Sequence, residues 1–396
     1  MNSTVQSHLV GVYKRYPVIL SAGEGAEVWD SEGRHYWDFL AGIGVNSLGY
    51  HHPDIQRILQ DASALMHTSN LFWHQPGIEL SERIAGISGG MWSLWSNSGT
   101  EANEAGIKLM RRIGHPLGRH HILTMHGGFH GRTLGSLSAT PVRRYQEPFE
   151  PLVPGFVPIT YGDLDSLAEA LARWQPAGVI MEPIQGEGGI VVPPPGYLSE
   201  AVRMIHQAGA VILFDEVQSG MGRTGQWFGY QVEGELEPDL ITVAKGMGAG
   251  MPIGGLLVSA KWAQAFEPGD HGTTFGGNPL ASKMALAVID WLDHGGLEHI
   301  RQMGTVMQSQ LRALQNRYPD LIREVRGRGL MWGIKTSVPA APIVQQALSL
   351  GLIINAPQSH VIRMLPPFVI DETAIAACCT ILGTVLDQMT QQQMSG

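Results

Sequence analysis

Val211-Ile212-Leu213-Phe214-Asp215-Glu216-Val217-Gln218 is the stretch that decides the fold. Its first four residues are apolar, without the polar alternation of a half-exposed strand. The segment therefore reads as a strand buried on both faces, the kind found in parallel sheets covered by helices. It ends on a carboxylate, and in open α/β sheets ligands bind beyond the carboxyl ends of strands. Working outward, Leu240–Ala244 runs into Lys245, and Trp92–Trp95 leads to Ser98-Gly99-Thr100. His121–Met125, Gly178–Met181 and Gly255–Val258 are further buried-strand candidates.

Helical patterns alternate with these runs. In Asp54–Met66 the residues Ile55, Ile58, Leu59 and Ala62 share one face, and Pro53 suits a first turn. Leu198–Gln207 is a second helix, with Gly209 as its stop signal. The alternation predicts an α/β domain with a largely parallel sheet. After about residue 285 long helical stretches dominate (Met284–Leu292, Gly304–Tyr318 and Ala374–Met389), with strand-like Arg323–Ile334 and Val361–Met364. We therefore expect an N-terminal segment over 1–55, a large domain over 56–284 and a smaller α+β domain over 285–396. Trp29-Asp30-Ser31-Glu32-Gly33 reads as a hairpin turn that packs the N-terminal segment against the small domain.

The 396 residues suit two unequal domains, and 44% hydrophobic against 15% charged residues provides a large core. A net charge of −9 argues against nucleic acid or an anionic membrane as partner. The two cysteines, Cys378 and Cys379, are adjacent and build no disulfide framework, as in a reducing cytoplasm. No apolar run reads as long enough to span a bilayer, and Met1–Val10 lacks an apolar signal core, so a cytoplasmic location is expected. His51-His52 and His120-His121 lack the spacing of metal ligands on one helix face, and no metal is expected. Trp92 and Trp95 read as core residues.

Three strand ends carry the chemistry. Ser98-Gly99-Thr100-Glu101 fits a helix capping box, and a helix start with a glycine is also an anion site. Asp215 suits a partner for a protonated ring nitrogen. Lys245, after a buried strand and before Gly246-Met247-Gly248-Ala249-Gly250, is costly there unless paired or chemically used, as in an imine with an aldehyde. Cradle, carboxylate and lysine are the components of a pyridoxal-phosphate site.

The order of longer motifs then gives a resemblance. They are Asn97-Ser98-Gly99-Thr100-Glu101-Ala102-Asn103-Glu104, Phe129-His130-Gly131-Arg132-Thr133, Glu182-Pro183-Ile184-Gln185-Gly186-Glu187-Gly188-Gly189, Phe214-Asp215-Glu216-Val217-Gln218, Ala244-Lys245-Gly246 and Gly272-Thr273-Thr274-Phe275-Gly276-Gly277-Asn278-Pro279. From about Tyr16 to Val369 the chain resembles the class III aminotransferases, and among them the acetylornithine aminotransferases.

The resemblance implies a fold-type I pyridoxal-phosphate transferase with a mostly parallel seven-stranded sheet and a smaller α+β domain. It implies that Ser98, Gly99 and Thr100 hold the cofactor phosphate, and that Thr274 reaches the phosphate of a neighbouring subunit in a homodimer with shared sites. Phe129 stacks on the ring, Asp215 pairs with its nitrogen and Gln218 with its hydroxyl; Glu216 and Val217 complete the cofactor set. Lys245 carries the cofactor as a Schiff base and shuttles the proton. Arg132 and Arg363 anchor two carboxylates, Glu187 masks Arg363 when an ω-amine binds, and Thr273 contacts substrate. The implied reaction moves the δ-amino group of N2-acetylornithine to 2-oxoglutarate, giving glutamate, in arginine biosynthesis. Succinylornithine, succinyl-diaminopimelate, ornithine or 4-aminobutyrate remain alternative amines, and an aminomutase or a non-catalytic protein of the same fold remain alternative classes.

Overall fold

The computed structural model describes residues 8–395. The first seven residues of the segment expected at 1–55 lie outside the described residues. Near the N-terminus β1 (Leu20–Glu24), β2 (Glu27–Asp30) and β3 (His35–Asp38) form an antiparallel meander. The turn read at Trp29–Gly33 joins β2 to β3, with Gly33 in the left-handed region.

A seven-stranded sheet follows: β4 (Trp92–Ser96), β5 (Ile122–Met125), β6 (Phe156–Ile159), β7 (Gly178–Met181), β8 (Val211–Asp215), β9 (Leu240–Val243) and β10 (Gly254–Val258). Its spatial order is β4-β10-β9-β8-β7-β5-β6. The β5, β6, β7, β8 and β9 pairings are parallel, whereas β10 runs antiparallel to both β4 and β9. Side chains alternate between two buried layers. Ile212, Phe214 and Ile241 pack with Leu198 and Ile205, while Val211, Leu213 and Leu240 pack with Ile107 and Met110. Burial on both faces explains the unbroken apolar runs, and it carries no information on strand direction, so the reversal of β10 was not legible.

Some local expectations need correction. Trp92 is 58% exposed rather than core, because it opens an edge strand paired on one side only, while Trp95 is half-buried. Strand β6 was not anticipated; Pro158 interrupts its pattern, and an edge strand tolerates a proline. The helix expected over Asp54–Met66 stops at Asp61 and gives way to a 3₁₀ turn at Ala62–Ala64, which leaves Leu59 exposed.

Toward the C-terminus β11 (Ile322–Arg328) and β12 (Met331–Thr336) form a hairpin, followed by β13 (Leu352–Ile353), β14 (Asn355–Gln358) and β15 (Val361–Met364). The order β11-β12-β15-β14 makes a third sheet, and β13 joins the N-terminal meander through a parallel pairing with β3. The helices Leu297–Arg317 and Glu372–Ser395 cover this part with Leu311, Leu314, Ile375, Leu382 and Val385. The expected boundary at 284/285 falls inside the helix Pro279–Trp291. Glu372–Gln391 is long and apolar enough to cross a membrane by length and composition, contrary to the expectation that no run is. Here its apolar residues Ile375, Cys378, Leu382 and Val385 are buried against the third sheet and its helices.

Candidate active site

A cavity of about 440 Å³ opens where β4, β5, β7, β8 and β9 end. The sheet places it there because those strands point the same way and their following loops converge. Among the residues singled out above, Ser98, Gly99, Thr100, Phe129, Arg132, Asp215, Val217, Gln218 and Lys245 line it. Glu187, Glu216, Thr273, Thr274 and Arg363 do not.

One wall is the start of the helix Gly99–Gly114. Ser98 caps it, its hydroxyl accepting from the Glu101 amide at 3.3 Å, and the Glu101 carboxylate accepts from the Asn97 amide at 2.6 Å. A Cβ at Gly99 would stand 2.6 Å from Val217 Cγ1, so only glycine lets this turn lie against the loop after β8. The Thr100 hydroxyl is 3.0 Å from that of Thr133, whose oxygen donates to Glu104. The result is a cradle with a positive helix end and a hydroxyl.

Asp215 closes the floor. Its Oδ2 accepts from Asn103 Nδ2 at 2.8 Å and meets His130 Nδ1 at 2.7 Å, and its Oδ1 accepts from the Val217 amide at 3.1 Å. Asn103 is itself oriented, since its amide also donates to the His130 carbonyl and its oxygen accepts from Thr242. Neither Asn103, His130 nor Thr242 was assigned a role from sequence. Asn103 and His130 lay inside recognised motifs, but only the tertiary structure shows them converging on one carboxylate.

Lys245 follows β9 at φ +41°, a strained region for a non-glycine residue that costs on the order of 1–3 kcal/mol. Burial pushes its amine below the ordinary lysine range; Arg363 acts in the same direction, while Glu187 and Asp215 oppose it. Arg132 is exposed at the mouth, its guanidinium 3.8 Å from the Tyr145 ring centroid and 5.4 Å from that of Phe129. No carboxylate pairs with it among the described residues.

Behind the cavity, Arg363 on β15 is 1% exposed. It pairs with the Glu187 carboxylate, donates to Asn355 Oδ1 at 3.1 Å and donates to Gln218 Oε1 at 3.2 Å. Gln218 thus links the pair to the cavity lining. Burial pushes the Glu187 carboxyl up, but the Arg363 guanidinium, joined by Lys245 and a Gln218 hydrogen bond, holds it below the usual carboxylate range.

Glu216 points away from the cavity. Its carboxylate accepts from Ser219, Gly229 and Tyr230, and burial pushes it up to about 7 against the effect of those bonds. Thr273 stands one residue behind the lining, accepting from Asn97 Nδ2 at 3.3 Å. Thr274 is exposed on the surface. Among the described residues no cluster of His, Cys, Asp and Glu could hold a metal.

The donor set fits a phosphorylated pyridine aldehyde. The cradle at Gly99 has no room for a Cβ, a thrice-bonded carboxylate faces the same space, and the half-buried Lys245 forms no salt bridge with a carboxylate among the described residues.

The family model described as aminotransferase class-III matches residues 11–386. The acetylornithine aminotransferase of Methanothermobacter thermautotrophicus is 42% identical over 383 residues, covering 96% of this chain and 97% of its own. That of Streptomyces coelicolor is 41% identical over 392 residues, covering 98% and 95%. Among solved structures, an ornithine aminotransferase from Toxoplasma gondii superposes with a TM-score of 0.92 at 30% identity, covering 97% of this chain and 94% of its own. An acetylornithine aminotransferase from Elizabethkingia anophelis gives 0.85 at 30% identity, covering 96% of each chain.

Proposed function

Because the chain belongs to the class III aminotransferases, a pyridoxal-phosphate-dependent family of fold-type I, we propose that it transfers the δ-amino group of N2-acetylornithine to 2-oxoglutarate, giving N-acetylglutamate 5-semialdehyde and glutamate. This is a step of arginine biosynthesis. The observation that carries the reading is the pair of guanidiniums around the cavity, Arg132 open and Arg363 covered by Glu187. End-to-end likeness to acetylornithine aminotransferases narrows the amine.

When bound, pyridoxal phosphate supplies a protonated ring that draws electrons from the carbon bearing the amine. The Gly99 amide and Thr100 hydroxyl hold its phosphate at the helix start. Asp215, kept an acceptor by Asn103, His130 and the Val217 amide, holds a proton on the ring nitrogen. Phe129, Val217 and Gln218 line the same cavity and would hold the ring, Gln218 through the ring hydroxyl. Lys245 would hold the aldehyde group of the cofactor, and its amine, with its depressed basicity, would take up and release a proton beside the reacting carbons.

Arg132 grips the carboxylate distal to the reacting carbon. Glu187 covers Arg363 while the bare methylene chain of acetylornithine lies beside it, then swings away so that Arg363 takes the α-carboxylate of glutamate. An uncovered arginine would face that chain as a desolvated, unpaired cation, which is costly. The likeness to the Toxoplasma ornithine aminotransferase supports ornithine as a second candidate amine.

We read the active unit as a homodimer. Leu71 at 89%, Phe72 at 69% and Trp73 at 91% exposure are three consecutive exposed apolar residues beside the Thr274 loop, where Asn70 Nδ2 donates to the Thr273 carbonyl at 2.9 Å. A substrate panel of acetylornithine, ornithine, succinylornithine and 4-aminobutyrate with 2-oxoglutarate, read as glutamate formed, tests the reading. Turnover of acetylornithine below that of another amine would overturn it.

A further inference from the structure

Glu182 is a carboxyl in the cavity wall that the reaction above does not use. Met181 of β7 pairs with Phe214 of β8 in parallel register, so Glu182 and Asp215 are the next residues of two adjacent strands. Ile180 and Leu213, two residues earlier on each, share one buried layer, so both carboxyls leave the sheet on the same face, with backbones about 4.8 Å apart. Both are buried, Glu182 at 6% and Asp215 at 3% exposure. Two carboxylates so placed out of water do not both ionise.

Their hydrogen bonds are unequal. Asp215 meets two side-chain donors and a backbone amide. Glu182 has a single long contact, from the Gly186 amide at 3.5 Å to Oε1, and its Oε2 is buried without any partner. Donors stabilise the charged form, so the charge belongs on Asp215 and the proton on Glu182. The other titratable groups around Glu182 come from every neighbouring element. Lys245 beyond β9 favours its ionised form, and Glu187 in the loop after β7 opposes it. Tyr161 beyond β6 donates to the Glu182 carbonyl and not to its carboxyl, and His130 beyond β5 is engaged by Asp215.

We propose that Glu182 and Asp215 form a one-proton carboxyl pair in which Glu182 is the neutral member, a positioning residue that keeps Asp215 the sole anion of the cavity floor. In support, burial first and the Asp215 charge second push Glu182 well above the ordinary carboxylate range. If Glu182 ionised, the cationic ring and Lys245 would face two anions, and each would hold its proton more tightly. This inference rests on the aminotransferase reading only through the probe used.

The test uses the protein loaded with pyridoxal phosphate. Infrared spectra near neutral pH should contain a protonated-carboxyl C=O stretch that Glu182→Gln removes. In parallel, the visible absorbance is titrated. Glu182→Gln, neutral at every pH, should follow the wild type through neutrality and depart only at alkaline pH, where Glu182 gives up its proton. No such carboxyl signal in the wild type, or a visible midpoint about ten-fold lower in proton affinity throughout in Glu182→Gln, would mean that Glu182 is an anion and would overturn the pair. The infrared result on the wild type needs no turnover, so it stands or falls apart from the substrate assignment.

Discussion

Asn103 Nδ2 lies 2.8 Å from Asp215 Oδ2, so the helix that begins at the Ser98-Gly99-Thr100 turn also fixes the carboxylate at the end of β8. One rigid element thereby sets both ends of the cavity. Asp215→Asn retains the shape but presents no charge to the ring nitrogen. Loss of a charge-assisted hydrogen bond costs about 1.5–3 kcal/mol, or roughly 10- to 150-fold. Single-turnover rates should show this loss in the chemical step. A change confined to cofactor affinity would remove the assigned role. Asn103→Ala should produce a smaller loss of the same kind.

Lys245 sits at positive φ and lines the cavity together with the Gly99 cradle and Asp215. Borohydride treatment of the loaded protein should fix the cofactor covalently to the peptide containing Lys245, detected by mass spectrometry. Lys245→Ala should lose turnover by several orders of magnitude while still retaining cofactor through the cradle. Undiminished turnover in this variant would sink the assignment.

Glu187, partly exposed, pairs with the buried Arg363, while Arg132 stands open. Glu187→Ala should leave the glutamate half-reaction intact or faster and slow the acetylornithine half-reaction by about ten-fold or more, the scale of one unpaired desolvated charge. Arg363→Ala should do the reverse, and Arg132→Ala should damage both. Stopped-flow absorbance with each donor separately is the measurement. Equal losses for Glu187→Ala in both half-reactions would reduce it to a structural partner.

Glu216 gives a pH dependence of stability. In the fold its carboxyl holds a proton up to about 7, against an ordinary value of 4.5. The folded state therefore binds more proton between those values. The stabilisation from Glu216 is fully present below 4.5 and is lost as pH rises through 7. Relative to Glu216→Gln, the wild-type Tm should fall over that window. Parallel Tm curves for the two proteins would contradict the shift.

On the homodimer reading, a second subunit would cover the exposed Leu71-Phe72-Trp73 surface and bring the exposed Thr274 to the neighbouring site. Sedimentation should give a dimer at micromolar concentration. Trp73→Lys should dissociate it with loss of cofactor affinity, because Thr274 then reaches no neighbouring phosphate. A fully active monomer would exclude shared sites.

The sequence by itself determined the class of fold and the order of the chemistry. Short apolar runs such as Val211–Phe214, bounded by turn and polar residues, announce strands buried on both faces, because helices covering the sheet leave neither row of side chains in water. The Ser98-x-x-Glu101 spacing announces a helix start, because capping is local chemistry between residues a turn apart. Tertiary structure alone decided which way β10 runs, that β6 exists despite Pro158, and that Trp92 faces solvent on an edge strand. It alone brought Asn103, His130 and Thr242 to Asp215, set Glu182 beside it and turned Glu216 away. Local patterns record how a residue meets its neighbours along the chain and whether it is buried. Strand pairing and loop convergence depend on which distant segments lie side by side, and no single segment encodes that.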